Sequence, residues 1–94
     1  MEFEWDDIKA ALNLRKHGVA FKDAAQIFLD PGRIEMLDDR VDYGEDRWLV
    51  IGRAGPALLV VAHALRGTGG EVIRIISARK ANTSERGYYH EIQA

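Results

Sequence analysis

The chain opens on a short alternation, with Phe3 and Trp5 on one face and Glu2 and Glu4 on the other, which suits an edge strand. The period then changes. Asp6 can cap a helix, with Asp7 in the favourable first turn. Ile8, Ala11, Leu12 and Arg15 recur on one stripe, predicting a buried face with only the stem of Arg15 able to bury. Lys16 and His17 fall in the last turn, and Gly18 supplies a left-handed stop. Phe21, Ala24, Ala25, Phe28 and Leu29 repeat the i, i+3, i+4, i+7, i+8 pattern of a second helix, which Asp30-Pro31-Gly32 ends. The two helices are expected to form a hairpin.

Beyond Gly32 the period shortens to two. Arg33–Leu37 reads as a strand, and Asp38–Asp46, with five acids, as a solvated polar loop. Arg47–Arg53 places Leu49 and Ile51 on one face and Trp48 and Val50 on the other. Leu58–Leu65 is strongly apolar, and Val72–Ala78 is rich in β-branched residues. Turns at Ala54-Gly55-Pro56 and Gly67-Thr68-Gly69-Gly70 are too short for parallel crossovers, so these strands are expected to run as an antiparallel meander. Asn82, with Glu85 three residues on, predicts a capped final helix, weakened at Gly87. The class is α+β, one antiparallel sheet with helices packed on it, in a single domain over residues 1–94.

Charge adds an asymmetry that the net value of −2 conceals. Residues 1–46 hold 6 Lys/Arg and 12 Asp/Glu (−6), whereas residues 47–94 hold 7 and 3 (+4), which sum to −2. A basic second half is a footprint for phosphate backbone or simply solvated surface, and an acidic first half can meet a basic partner. No cysteine is present, which removes disulfides and thiolate metal sites and fits a reducing compartment. The acidic start does not read as a signal peptide, and the longest apolar stretch, Ala57–Ala64, is too short to span a bilayer, so a cytoplasmic protein without membrane contact is expected.

Little catalytic vocabulary remains. His17, His63 and His90 lie far apart without metal-ligand spacing, so neither a metal nor a cofactor is expected. The glycine run lacks the Lys-Ser/Thr of a phosphate loop. What stands out is a group of cations: Arg66, Arg74, Arg79, Lys80 and Arg86. Strict alternation puts Ile73, Ile75, Ser77 and Arg79 on one face and Arg74, Ile76 and Ala78 on the other. Arg79 and Lys80 would then approach Glu85 and Tyr89, which are i, i+4 neighbours on the last helix. Guanidinium groups clamp phosphate and stabilise a phosphoryl transition state, a carboxylate or lysine moves protons, and a tyrosine stacks on an unpaired base. The alternative is structural: an Arg79–Glu85 ion pair, Tyr89 in the core and Lys80 solvated. For Trp5 and Trp48 a core role is favoured, and for His17 a cap on the helix dipole. His63 is either a satisfied, partly buried side chain or a proton-transfer group.

Two longer motifs carry a family resemblance. Phe3-Glu4-Trp5-Asp6, with Lys9, Asn13, Lys16-His17-Gly18-Val19 and Phe21, resembles the opening of BrnT proteins. Arg74-Ile75-Ile76-Ser77-Ala78-Arg79-Lys80-Ala81, with Glu85-Arg86 and Tyr89, is similar to their closing motif, and Arg47, Ile51-Gly52 and Arg66 fit between them. The resemblance implies a RelE-like fold: an N-terminal helical pair, a curved antiparallel sheet of about four strands and a C-terminal helix. It implies a metal-independent endoribonuclease toxin that inhibits translation. Its partner would be a BrnA-type ribbon-helix-helix antitoxin in a 2:2 complex, with operator DNA bound only through the antitoxin. By analogy with RelE-like nucleases, Arg66, Arg79, Lys80, Glu85 and Tyr89 are the expected catalytic set, and His63, Arg74 and Arg86 the expected RNA contacts. A toxin-like module that binds its antitoxin or RNA without cleaving is the other reading.

Overall fold

The computed structural model describes residues 1–40 and 42–94. Its elements are β1 (Glu2–Glu4), α1 (Asp7–His17), α2 (Phe21–Ala24, continued by a 3-10 turn over Ala25–Leu29), β2 (Ile34–Asp38), β3 (Arg47–Ala54), β4 (Ala57–Arg66), β5 (Val72–Lys80) and α3 (Thr83–Gln93). The loop predicted over Asp38–Asp46 includes Val41, which lies outside the described residues.

The class is α+β, as the patterning implies, but the sheet has five strands rather than about four, in the order β1-β5-β4-β3-β2. It is also mixed. β2 to β5 form the expected antiparallel meander, while β1 lies parallel to β5, pairing Glu2 with Val72, Phe3 with Ile73 and Glu4 with Arg74. The long chain between β1 and β5 supplies the crossover that parallel pairing needs.

Each face of the sheet carries a core. On one side Val19, Phe21, Ala24, Ile27 and Phe28 of the helical hairpin cover Val50, Leu59, Val61, Ile73, Ile75 and Ala78. Phe3 meets Phe28 at 5.5 Å between ring centroids and Trp5 meets Phe21 at 6.0 Å, so β1 seals the edge of this core. The 3-10 turn comes so close to β3 that a Cβ on Gly52 would sit 2.8 Å from Cβ of Ile27. On the other side α3 places Tyr89 against Ile51, Leu58, Val60 and Ala81, leaving Ile34, Met36 and Leu49 half-buried.

Two predicted helix faces turn differently. In α1 the apolar stripe faces solvent, with Ile8 75% and Leu12 54% exposed and Ala11 and Arg15 also outside. The one residue of α1 that is buried is Asn13. In the second helix the change to 3-10 geometry at Ala25 shortens the turn to about three residues, which rotates Ile27 inward and leaves Leu29 80% exposed.

β5 holds the device that orders the remainder. Ala62 pairs with Ser77 and His63 with Ile75, so Ile76 is an extra residue in β5. The bulge resets the side-chain alternation. Ala78 therefore joins Ile73 and Ile75 in the hairpin-side core, and Arg79 moves to the face of Arg74, correcting the split expected from an unbroken strand. The edge of β5 beyond β1 is completed by a side chain. Asn13 Nδ2 donates to the Ala78 carbonyl (2.9 Å) and the Val19 carbonyl (3.0 Å), and Asn13 Oδ1 accepts from the Ala78 N–H (3.1 Å).

Asn13→Ala would leave these buried backbone groups without partners. The expected loss is about 2–4 kcal/mol of unfolding free energy in urea titration, against a surface control such as Arg15→Ala within about 0.5 kcal/mol. Equal midpoints for the two variants would show that the amide pairing contributes nothing to stability.

Candidate functional site

Cross-strand partners share a face of a sheet. On the α3 side Arg74 therefore lies beside Ala64, Ser77 beside Ala62, Arg79 beside Val60 and Arg66 beside Val72. Arg47, opposite Asp38 at the end of β3, belongs to the same face. The residues between the arginines, Ala62, Ala64 and Ser77, are small; Ala62 and Ser77 are half-buried and Ala64 is buried.

Every one of these arginines meets a carboxylate. Arg74 Nη1 lies 3.5 Å from Glu4 Oε1, and Arg47 Nε 3.7 Å from Glu45 Oε2. Glu45 also accepts from Arg66. Arg40 grips Asp38 through two nitrogens at 2.8 and 3.0 Å, Tyr43 OH donates to the same carboxylate, and the Arg47 guanidinium stacks 4.0 Å above the Tyr43 ring. The acidic loop is thus more than solvated surface. Asp38 is buried, its carboxyl held below the usual range chiefly by Arg40, and Glu45 is held low chiefly by Arg66.

Arg79 makes the most regular of these pairs. Its Nη1 and Nη2 donate to Glu85 Oε1 and Oε2 at 2.7 and 2.8 Å, a two-toothed charge-assisted contact. Glu85 does double duty, because the expected capping box is present: Asn82 Oδ1 accepts from the Glu85 N–H at 2.8 Å, and Glu85 Oε1 accepts from the Asn82 N–H at 2.9 Å. The Arg79 guanidinium keeps Glu85 ionised, holding its carboxyl below the usual range. Arg79 Nη1 also donates to the Lys80 carbonyl at 3.3 Å, and 40% of the Arg79 side chain is exposed.

The other nominated residues separate from this pair. Lys80 follows Ala78 onto the hairpin side, where it borders a groove with Gly18, Asp23, Gln26 and Gly55. Tyr89 shares the helix face of Glu85 but is buried, and its hydroxyl donates to Asp30 Oδ2 at 2.6 Å, clamping α3 to the end of the second helix. Asp30 also accepts from the N–H groups of Gly32 and Arg53. Hydrogen bonding to Asp30, then burial, pushes the Tyr89 hydroxyl pKa above its ordinary value. Arg86 is exposed on α3 and joins no ion pair among the described residues. Between α3 and the sheet an apolar groove of about 270 Å³ runs past Met36, Leu49, Ile51, Val60, Glu85 and the half-exposed Tyr88. Sequence reading passed over Arg40, Asp38, Tyr43 and Glu45 as site residues. The available signal was five acids directly preceding a strand that begins with arginine. Among the described residues, no three of His, Cys, Asp and Glu gather as a metal site would require, and no helix is long and apolar enough to cross a membrane.

His63 lies on the hairpin side, 2% exposed, its ring edge-on to Phe28 at 5.1 Å. It lies on the opposite side of the sheet from the arginines. Its Nδ1 has no hydrogen-bond partner among the described residues, and burial lowers its pKa from the ordinary 6.5, with Glu35 opposing weakly. The unfolded chain therefore binds this proton more tightly than the folded one. The stability contribution of neutral His63 is complete above about pH 6.5 and is lost as pH falls toward the folded-state value. Urea titrations between about pH 7 and pH 5 should show stability falling by at most about 1.4 kcal/mol per pH unit from this group. His63→Leu should flatten that slope, and an unchanged slope would rule His63 out as its source.

A family model described as "Ribonuclease toxin, BrnT, of type II toxin-antitoxin system" matches residues 5–85. The fold is similar to the 1.1 Å crystal structure of the Brucella abortus ribonuclease toxin BrnT, with a TM-score of 0.66 and 28% identity, covering 88% of this chain and 99% of that one. No curated protein sequence matches the chain. With the model spanning most of its length and a like-folded toxin alongside, the chain belongs to the BrnT family of ribonuclease toxins of type II toxin–antitoxin systems.

Proposed function

We propose that this protein is a metal-independent endoribonuclease of RelE-like type that inhibits translation, and that its cleavage centre is the Arg79–Glu85 pair on the arginine face. The observation carrying this reading is the pair itself: a two-toothed guanidinium–carboxylate contact on a partly exposed arginine, on the same face of the sheet as Arg66, Arg74 and Arg47 further along the strands. In the reaction the ribose 2′-oxygen attacks the adjacent phosphorus and the bond to the 5′-oxygen breaks. Ionised Glu85 takes the 2′-hydroxyl proton and returns it to the departing 5′-oxygen, leaving a 2′,3′-cyclic phosphate and a 5′-hydroxyl. The free donors of Arg79 stabilise the charge gathering on the phosphoryl oxygens, and Arg66 and Arg74 hold the neighbouring backbone.

The roles expected of Lys80, Tyr89 and His63 shift under this reading. Tyr89 acts by anchoring α3, and so positions Glu85 one helical turn away. Lys80 and His63 lie on the opposite side of the sheet, and Arg86 and Tyr88 are left to meet RNA near α3.

The type II family implies an antitoxin. We infer a BrnA-type ribbon-helix-helix partner in a 2:2 complex, covering the arginine face and the apolar groove beside α3, and binding operator DNA on behalf of both.

Inducible expression in bacteria should arrest growth and protein synthesis, and Arg79→Ala should relieve the arrest. On purified antitoxin-free protein, the same substitution should lower kcat/KM for RNA about 10²–10³-fold. Cleavage by the wild type should persist in EDTA. Growth equal to that of empty-vector cells at matched soluble levels, with no cleavage in vitro, would favour an inactive module that only binds.

A further inference from the structure

We propose that the groove between α1 and the open edge of β5 is a second binding site for the phosphate backbone of single-stranded RNA, continuous with the Arg79 centre. It rests on the ribonuclease reading above and adds the path of the strand beyond the cleaved bond.

The inference starts from the inverted face of α1. Lys9, Asn13 and Lys16 stand at i, i+4 and i+7, one narrow stripe of the helix. Asn13 is fixed to Ala78 of β5, so the two lysines are held on either side of it along the strand edge. They span two turns, about 10 Å of helix. The groove they border, of about 220 Å³, also takes in His17, Ile76 and Ser77. An amphipathic helix ordinarily turns its leucines to the sheet and its lysines to water. Here Ile8 and Leu12 are exposed, and Leu12 lines the cleft together with the two lysines.

Charge distinguishes this groove from the sheet face. Each arginine there already has a carboxylate, whereas neither Lys9 nor Lys16 joins an ion pair among the described residues. The charge of Asp6 acts on Lys9, but its carboxylate is engaged in capping α1 through the Lys9 N–H at 3.0 Å. Lysines present as point charges without a planar partner suit backbone contact, which positions a strand without reading its bases.

The bulge connects the two sites. β1 pairs only as far as Arg74 and Asn13 occupies Ala78, so between them no strand pairs with residues 75–77, and α1 borders the edge across the groove. Ser77 lies on the sheet face beside Ala62 and also borders the groove. A strand leaving Arg79 crosses the edge at Ser77 and continues between the lysines. A fragment of about four nucleotides fills the Arg79 centre alone, whereas one of about 20 reaches both sites.

The test compares cleavage of these two lengths by antitoxin-free wild type and by Lys9→Ser/Lys16→Ser. The double variant should lose about tenfold in kcat/KM on the long RNA relative to the short one, expressed in KM. Removing two backbone contacts should also lower the salt slope of long-RNA binding by about 1.4. Ser77→Glu, which places a negative charge at the crossing, should reproduce the length-dependent loss. A long-to-short ratio and salt slope equal to wild type in both variants would overturn the proposal, as would an equal loss on both lengths. Failure of the wild type to cleave either RNA would instead overturn the ribonuclease reading.

Discussion

The Asn13 amide stands in for a missing strand. β1 stops at Glu4, and further along the same edge of β5 the backbone of Ala78 pairs with a side chain instead of a strand. One side chain answers both the N–H and the carbonyl there while also taking the Val19 carbonyl at the hairpin turn. This ties α1, the turn and β5 together just beyond the bulge at Ile76. The bulge flips the last four residues of β5. Arg79 thereby reaches the face that α3 half-covers, and Ala78 closes the core beneath the helices. The position of Arg79 thus depends on an asparagine in the first helix.

The charges on the arginine face are arranged for control more than for strength. Exposed ion pairs contribute little to stability, about 0–1 kcal/mol each. Their value here is orientation. The Arg79 guanidinium is held by Glu85 and the Lys80 carbonyl, so its orientation is set before any ligand arrives, which lowers the cost of ordering it on binding. The acidic loop does the same for Arg40, Arg47 and Arg66, and explains why the acidic first half and basic second half of the chain belong to one surface.

The elements themselves were readable because their signals are local: a period of two or 3.6, glycine at the turns, Asn82 and Glu85 at a helix start. The faces were not, because each misreading involves a partner distant in sequence. An extra residue in β5 is visible only against β4. The outward leucine of α1 follows from the hydrogen bonds of Asn13, which a hydrophobic pattern scores as a polar residue on a solvated side. The rotation at Leu29 comes from a 3-10 turn whose residues look helical. The Arg79–Glu85 pair was legible because six residues and a capping motif bring it together, whereas the bond from Tyr89 to Asp30 spans 59 positions.

The parallel strand at the sheet edge has a bearing on how the protein is born. β1 emerges first from the ribosome, yet its partner begins at Val72, and Asn13 waits for a residue 65 positions further on. Contacts of such sequence separation form late, since the loop must close before they return any energy. Until β5 has been made, the N-terminal strand lacks a neighbour, the bulge that orients Arg79 does not exist, and Glu85 has not been synthesised. A chain whose synthesis is interrupted before Glu85 is therefore released without the arginine–carboxylate pair that orders this face.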